Sequence, residues 1–164
     1  MDFPLDEKRA NDAYEALVKF LAVRARSEKE CREKLYSKGF HKDEVEFAIE
    51  KAKGYKYIND EEFTRDYLTF ARFKYGAKKL SYKLTAEFGL DKNLVENAIA
   101  DLIDDSFEEE VCRGFAEKYI KQKHISDDAG ARKLSAFLYQ KGFEWNIINR
   151  VISDVLNCDS YDEI

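Results

Sequence analysis

A single proline, seven glycines and two histidines are scattered through 164 residues. With so little proline, almost nothing interrupts a helix from within. His41 and His124 stand far apart, and Cys31, Cys112 and Cys158 are odd in number with no paired spacing. That argues against a metal-ligand cluster and against a disulfide framework. It reads as a reduced, cytoplasmic protein whose cysteines are small packing residues. No apolar run approaches ~20 residues, so no membrane span is expected. The richest run, Ala16 to Val23, contains Lys19. Met1-Asp2-Phe3-Pro4 does not look like a signal peptide. No glycine-rich phosphate loop with its lysine and no nucleophile elbow is present. Acid pairs such as Glu61-Glu62 fall at a helix start, where they complement the dipole. The expectation is a protein without catalysis, cofactor or metal.

What is present is a threefold frame. Gly39-Phe40 is followed by Val45, Ala48, Ile49 and Ala52. Gly89-Leu90 is followed by Val95, Ala98, Ile99 and Leu102. Gly142-Phe143 is followed by Ile148, Val151, Ile152 and Val155. Offsets of six, nine, ten and thirteen from the glycine share one helical face. A helix runs to each glycine and ends there, because glycine takes the left-handed conformation without a Cβ clash. Asp43 and Asp91 stand where the next helix begins. The frame is not strict, since the spacing before Gly89 differs by one residue from that before Gly39.

The expected fold class is all-α, with three tandem three-helix repeats, helix-turn-helix-like and wingless, in an elongated, curved array. Repeat one spans 7–55, repeat two 56–104 and repeat three 105–157, with an acidic, loose tail at 158–164. The first helix is read from Glu7 to Arg24. The second begins at the Ser27-x-x-Glu30 capping box, and the third ends at Gly54. Asn59 or Asp60 caps the fourth, whose stripe reads Phe63, Tyr67, Phe70 and Ala71. Tyr55, Tyr57 and Ile58 are read as a plug at the seam between repeats, the alternative being an aromatic binding surface. Lys121 to Asp128 reads as a polar connector.

The net charge of −5 hides segregation. Between Arg65 and Lys83, Arg65, Arg72, Lys74, Lys78, Lys79 and Lys83 face only Asp66, while Leu84 to Glu110 is strongly acidic. A cationic face beside an anionic one steers and orients a charged partner. Arg24, Arg26 and Arg32 extend the basic set onto repeat one. The interleaving of Arg72-Phe73-Lys74-Tyr75 also suits phosphates and stacked bases. An acidic chain argues against nucleic acid as the main, tight partner. A solvated helix exterior, a helical nucleic-acid-binding module and a scaffold for another protein all remain open at this point. No apolar stripe is left over, so a monomer is expected.

Arg26-Ser27, Leu35, Lys38-Gly39-Phe40, Gly54-Tyr55, Ile58-Asn59-Asp60-Glu61-Glu62-Phe63, Arg72 and Lys74-Tyr75-Gly76 together resemble the RecX family, bacterial regulators of the RecA recombinase. The likeness covers about residues 13 to 157. The middle repeat departs from it, reading Glu87-Phe88-Gly89-Leu90 where the family usually has Lys-Gly and an aliphatic residue. The resemblance implies binding in the groove of the RecA–DNA filament. It further implies inhibition of RecA's ATP hydrolysis, strand exchange and co-protease activity, with no cofactor. Arg24, Arg26, Arg32, Arg72, Lys74, Lys78, Lys79 and Lys83 are then the candidate contacts to RecA or, weakly, to DNA.

Overall fold

The computed structural model describes residues 4–158. Among these, nine helices occur and no strand: α1 (Glu7–Leu21), α2 (Glu28–Ser37), α3 (Lys42–Gly54), α4 (Asp60–Ala71), α5 (Ala77–Tyr82), α6 (Lys92–Leu102), α7 (Asp105–Lys123), α8 (Asp128–Lys141) and α9 (Trp145–Cys158). The acidic tail expected after Cys158 lies outside the described residues.

The three glycines do what the frame requires. Gly39, Gly89 and Gly142 have φ of 84°, 67° and 97°. The apolar residue after each folds back: Phe40 N–H donates to Leu35 O and Phe143 N–H to Leu138 O, both at 3.3 Å, and Leu90 N–H donates to Leu84 O at 3.0 Å. These are closing bonds of the Schellman kind. They also explain the slipped spacing. Leu84 stands one residue further from its glycine than Leu35 or Leu138 does. The extra residue is absorbed by a π-helical turn, Lys83–Glu87, that continues α5.

The first stripe is buried as read, whereas Ile99 and Leu102 of the second and Ile152 of the third are only half-buried. Val45, Ala48, Ile49, Ala52, Val95, Ile148 and Val151 are fully buried. A first core gathers Ala13, Leu17, Cys31, Leu35 and the α3 stripe with Ile58. Another gathers Cys112, Ala116, Leu134, Leu138, Phe143 and the α9 stripe. Each fully buried leucine contributes about 1.5–3 kcal/mol. The capping box is formed: Ser27 Oγ accepts from Glu30 N at 3.3 Å, and Glu30 Oε2 accepts from Ser27 N at 2.9 Å.

Five local expectations are corrected. α1 ends at Leu21, before Val23-Arg24, where the apolar face runs out. Gly54 closes α3 as an ordinary helical residue, and Lys56 takes the positive φ instead. Tyr55 and Tyr57 are exposed and stack on each other at 5.6 Å, so only Ile58 enters the core. Phe70 is 75% exposed, whereas Leu68 is fully buried. The true α4 stripe is Phe63, Thr64, Leu68 and Ala71, a 3.6-residue face that misses position 70. α7 runs through Lys123 and ends on His124 with φ 53°, which shortens the connector.

The described residues group into two compact units, 4–66 with 84–94, and 67–83 with 95–158. Each holds one joint. In the first, Glu28 N–H donates to Asp60 Oδ1 at 2.9 Å, and Lys29 Nζ reaches Ala86 O at 3.2 Å beside the Gly89 turn. In the second, Ala77 N–H donates to Glu108 Oε1 at 2.8 Å, and Lys79 Nζ reaches Gln140 O at 3.1 Å beside the Gly142 turn. A repeat's middle helix is thus tied to the opening helix and glycine turn of the next, which distributes α4–α6 over both units.

Candidate functional site

In the first unit the candidate arginines are tied to carboxylates of that same unit. Arg24 donates to Glu30 Oε1 at 2.7 Å and to Ala25 O at 2.9 Å. Arg26 lies 3.6 Å from the same carboxylate, its guanidinium 4.2 Å from the Phe20 ring centre. Arg32 bridges Glu28 at 2.8 Å and Glu46 at 3.1 Å, and the Glu46 bond pushes its pKa further up. Ion pairs of this kind contribute little stability when exposed, yet they neutralise the field a partner would sense.

Arg72, in the second unit, donates to Leu102 O at 3.0 Å and lies 5.2 and 4.9 Å from the rings of Phe73 and Phe107. The lysines of this unit stand differently. α5 is only six residues long, too short to hold itself in water. It is held by its first turn: Gly76 N–H donates to Lys141 O at 2.9 Å and Lys78 N–H to Gly142 O at 3.2 Å. A Cβ on Gly76 would collide with the Gly142 carbonyl, so the two backbones touch. Glu108, itself buried, completes the clamp, and burial pushes its carboxyl above the ordinary range against the opposing Ala77 hydrogen bond.

This clamp presents the lysines on aromatic faces. Lys79, Lys83 and Lys141 lie 5.1, 5.3 and 5.9 Å from the Tyr75 ring centre. Lys78 Nζ lies 5.2 Å from the Tyr139 ring, which stacks on Trp145 at 4.8 Å. Lys74 is exposed. Among the described residues no carboxylate pairs with Lys74, Lys78, Lys79 or Lys141. Cation–π contacts hold an ammonium in place without cancelling its charge. The structure therefore gathers Lys78, Lys79 and Lys83 at one face and adds Tyr139, Lys141 and Trp145, which sequence reasoning did not single out. A signal was there: Tyr139 and Trp145 sit three residues before and after Gly142, where the first repeat has Tyr36 and Lys42.

Cys31 and Cys112 are buried thiols pushed up to about 12 by desolvation, so neither is a nucleophile at neutral pH. Among the described residues no cluster of His, Cys, Asp or Glu has the makings of a metal site, and no helix is long and apolar enough to cross a membrane.

Models of the first and third three-helix domains of RecX match residues 13–51 and 108–152, together just over half of the chain. The chain belongs to the RecX family. Among curated proteins it is 28% identical over 151 residues to "Regulatory protein RecX" of Clostridium botulinum, strain Eklund 17B, covering 90% of this chain and 70% of that one. It is 27% identical over 157 residues to the protein of the same name from Chlorobaculum tepidum, covering 95% and 96%. The crystal structure of RecX from Lactobacillus salivarius superposes with a TM-score of 0.82 at 27% identity, over 92% of this chain and 98% of that one. A second RecX crystal structure, at 19% identity and TM-score 0.79, shares the fold. The three-helix repeat architecture and the RecX family thus agree.

Proposed function

We propose that this chain regulates the RecA recombinase by binding the RecA–DNA filament in its groove, and that it inhibits ATP hydrolysis, strand exchange and co-protease activity. Membership of a family of regulatory proteins supports the reading. The observation that carries the site is the lysine face of the second unit. Lys78, Lys79 and Lys141 are held by a backbone clamp and by rings, Lys74 is exposed, and no carboxylate among the described residues takes up their charge. Such a face meets acidic protein surface or DNA phosphate. The three repeats, at 7–55, 56–104 and 105–157, act as linked weak binders, so avidity replaces any single strong contact. The protein works as a cytoplasmic monomer and holds no cofactor. RecA-catalysed ATP turnover on single-stranded DNA, with and without this chain, tests the proposal. Turnover that falls as the chain is added supports it, and turnover that stays constant at saturating chain rejects it. Screening by salt should weaken the inhibition.

A further inference from the structure

The turn between α8 and α9 carries a feature that filament inhibition does not require. Tyr139 in the last turn of α8 and Trp145 at the head of α9 stack with ring centres 4.8 Å apart and planes at 16°. The two residues are 41% and 50% exposed, so the stack fills no core. An exposed aromatic pair of this size is a standing demand for a flat partner. Lys78 Nζ lies 5.2 Å from the Tyr139 ring, and Lys79 sits one residue further along the same helix. Glu144 is the acidic neighbour of Trp145 in the chain.

We propose that Tyr139 and Trp145 form a stacking platform for an unpaired nucleobase, with Lys78 and Lys79 meeting the adjoining phosphates. The second unit then takes single-stranded nucleic acid directly, independently of whether it regulates a recombinase. An acidic peptide would satisfy the lysines but would leave the ring faces uncovered. A nucleotide brings a π face and an anion together. A duplex satisfies the lysines but keeps its base faces inside the stack. The chemistry on the page therefore favours a single strand over either.

The chain's one tryptophan is Trp145, so its fluorescence reads the platform alone. The intact protein is titrated with oligothymidylate, with the same strand made abasic, with a duplex of equal length and with polyglutamate. Saturable quenching by oligothymidylate is expected, with at least tenfold weaker binding of the abasic strand. Tyr139→Leu, exposed and replaceable without loss of fold, should weaken strand binding about tenfold, while Glu144→Gln should tighten it slightly. Trp145→Leu, followed through a labelled strand, should behave like Tyr139→Leu. Absence of strand binding overturns the proposal. So does binding that leaves Trp145 emission unchanged, or that is equally tight for abasic strand or duplex. Polyglutamate bound as tightly as oligothymidylate would reassign the face to an acidic protein. RecA ATPase measured on Tyr139→Leu keeps the two readings apart: full inhibition without strand binding leaves the regulatory reading standing.

Discussion

At the start of α2 the Glu28 N–H is satisfied by Asp60, and the aliphatic stem of Lys29 lies against the Gly89 turn. At the start of α5 the Ala77 N–H is satisfied by Glu108, and Lys79 lies against the Gly142 turn. The plan is the same: a carboxylate from the next repeat satisfies the first orphan donor, and a lysine roofs the next glycine turn. The finish differs. The first joint is a flexible side chain laid on backbone. In the second, Gly76 N and Lys78 N donate straight into the backbone of residues 141 and 142. Sequence symmetry thus conceals two kinds of contact, one yielding and one rigid. The rigid one fixes the lysine face, while arginines in the first unit spend their charge on Glu28, Glu30 and Glu46.

Replacing the three turn glycines by alanine gives the widest spread. All three sit at positive φ, which costs about 1–2 kcal/mol for a residue with a Cβ. At Gly142 the new Cβ also meets Lys79 backbone, at Gly89 only the Lys29 side chain, and at Gly39 nothing. Thermal or urea unfolding should rank the losses as Gly142→Ala about 3 kcal/mol, Gly89→Ala about 2 and Gly39→Ala about 1. Equal losses would erase the contrast between joints. Glu108→Ala leaves Ala77 N–H buried without a partner and should cost about 1–2 kcal/mol.

A smaller effect separates two buried carboxylates by pH. Glu108 is held above its ordinary 4.5 chiefly by burial, so its favourable contribution is complete below 4.5 and is lost as pH rises through its folded value. Glu44 is held below 4.5 chiefly by its hydrogen bond from Arg9, so its contribution is present above 4.5 and is lost as pH falls through its folded value. Relative to the unsubstituted chain, Glu108→Gln should therefore look best at neutral pH and Glu44→Gln worst. Both differences, up to about 1 kcal/mol, should fade toward acid. Denaturation midpoints between pH 3 and 7 would show it, and parallel curves would contradict it.

The smallest effect concerns Arg32. Its side chain is partly exposed, and Arg32→Gln should cost about 0.5 kcal/mol in urea denaturation. It should leave inhibition of RecA unchanged, because this arginine already serves Glu28 and Glu46.

The repeat was legible because a glycine at positive φ and a buried face each leave a fixed spacing. Even the slipped register before Gly89 was visible as an anomaly, though only coordinates reveal the π turn that absorbs it. Tyr55, Tyr57 and Phe70 were misread because aromatic residues satisfy a stripe on paper whether or not the face turns inward. The basic set was legible as composition. Which cations are neutralised depends on Glu28, Glu30 and Glu46; the Arg32–Glu28 pair is legible as i,i+4 spacing, but the Arg24–Glu30 and Arg32–Glu46 pairs have no fixed spacing to betray them. Lys141 and Trp145 escaped notice for the same reason, since the clamp that brings them to Lys78 is built of backbone atoms.

The most direct test compares charge reversal in the two units under one assay. RecA-catalysed ATP turnover on single-stranded DNA is measured with the unaltered chain, with Lys74→Glu/Lys78→Glu and with Arg24→Glu/Arg32→Glu, each checked for helicity. The account predicts that the lysine pair loses at least tenfold in inhibitory potency, while the arginine pair loses little beyond its stability. Full inhibition by the folded lysine variant, or a greater loss from the arginine pair, would contradict it.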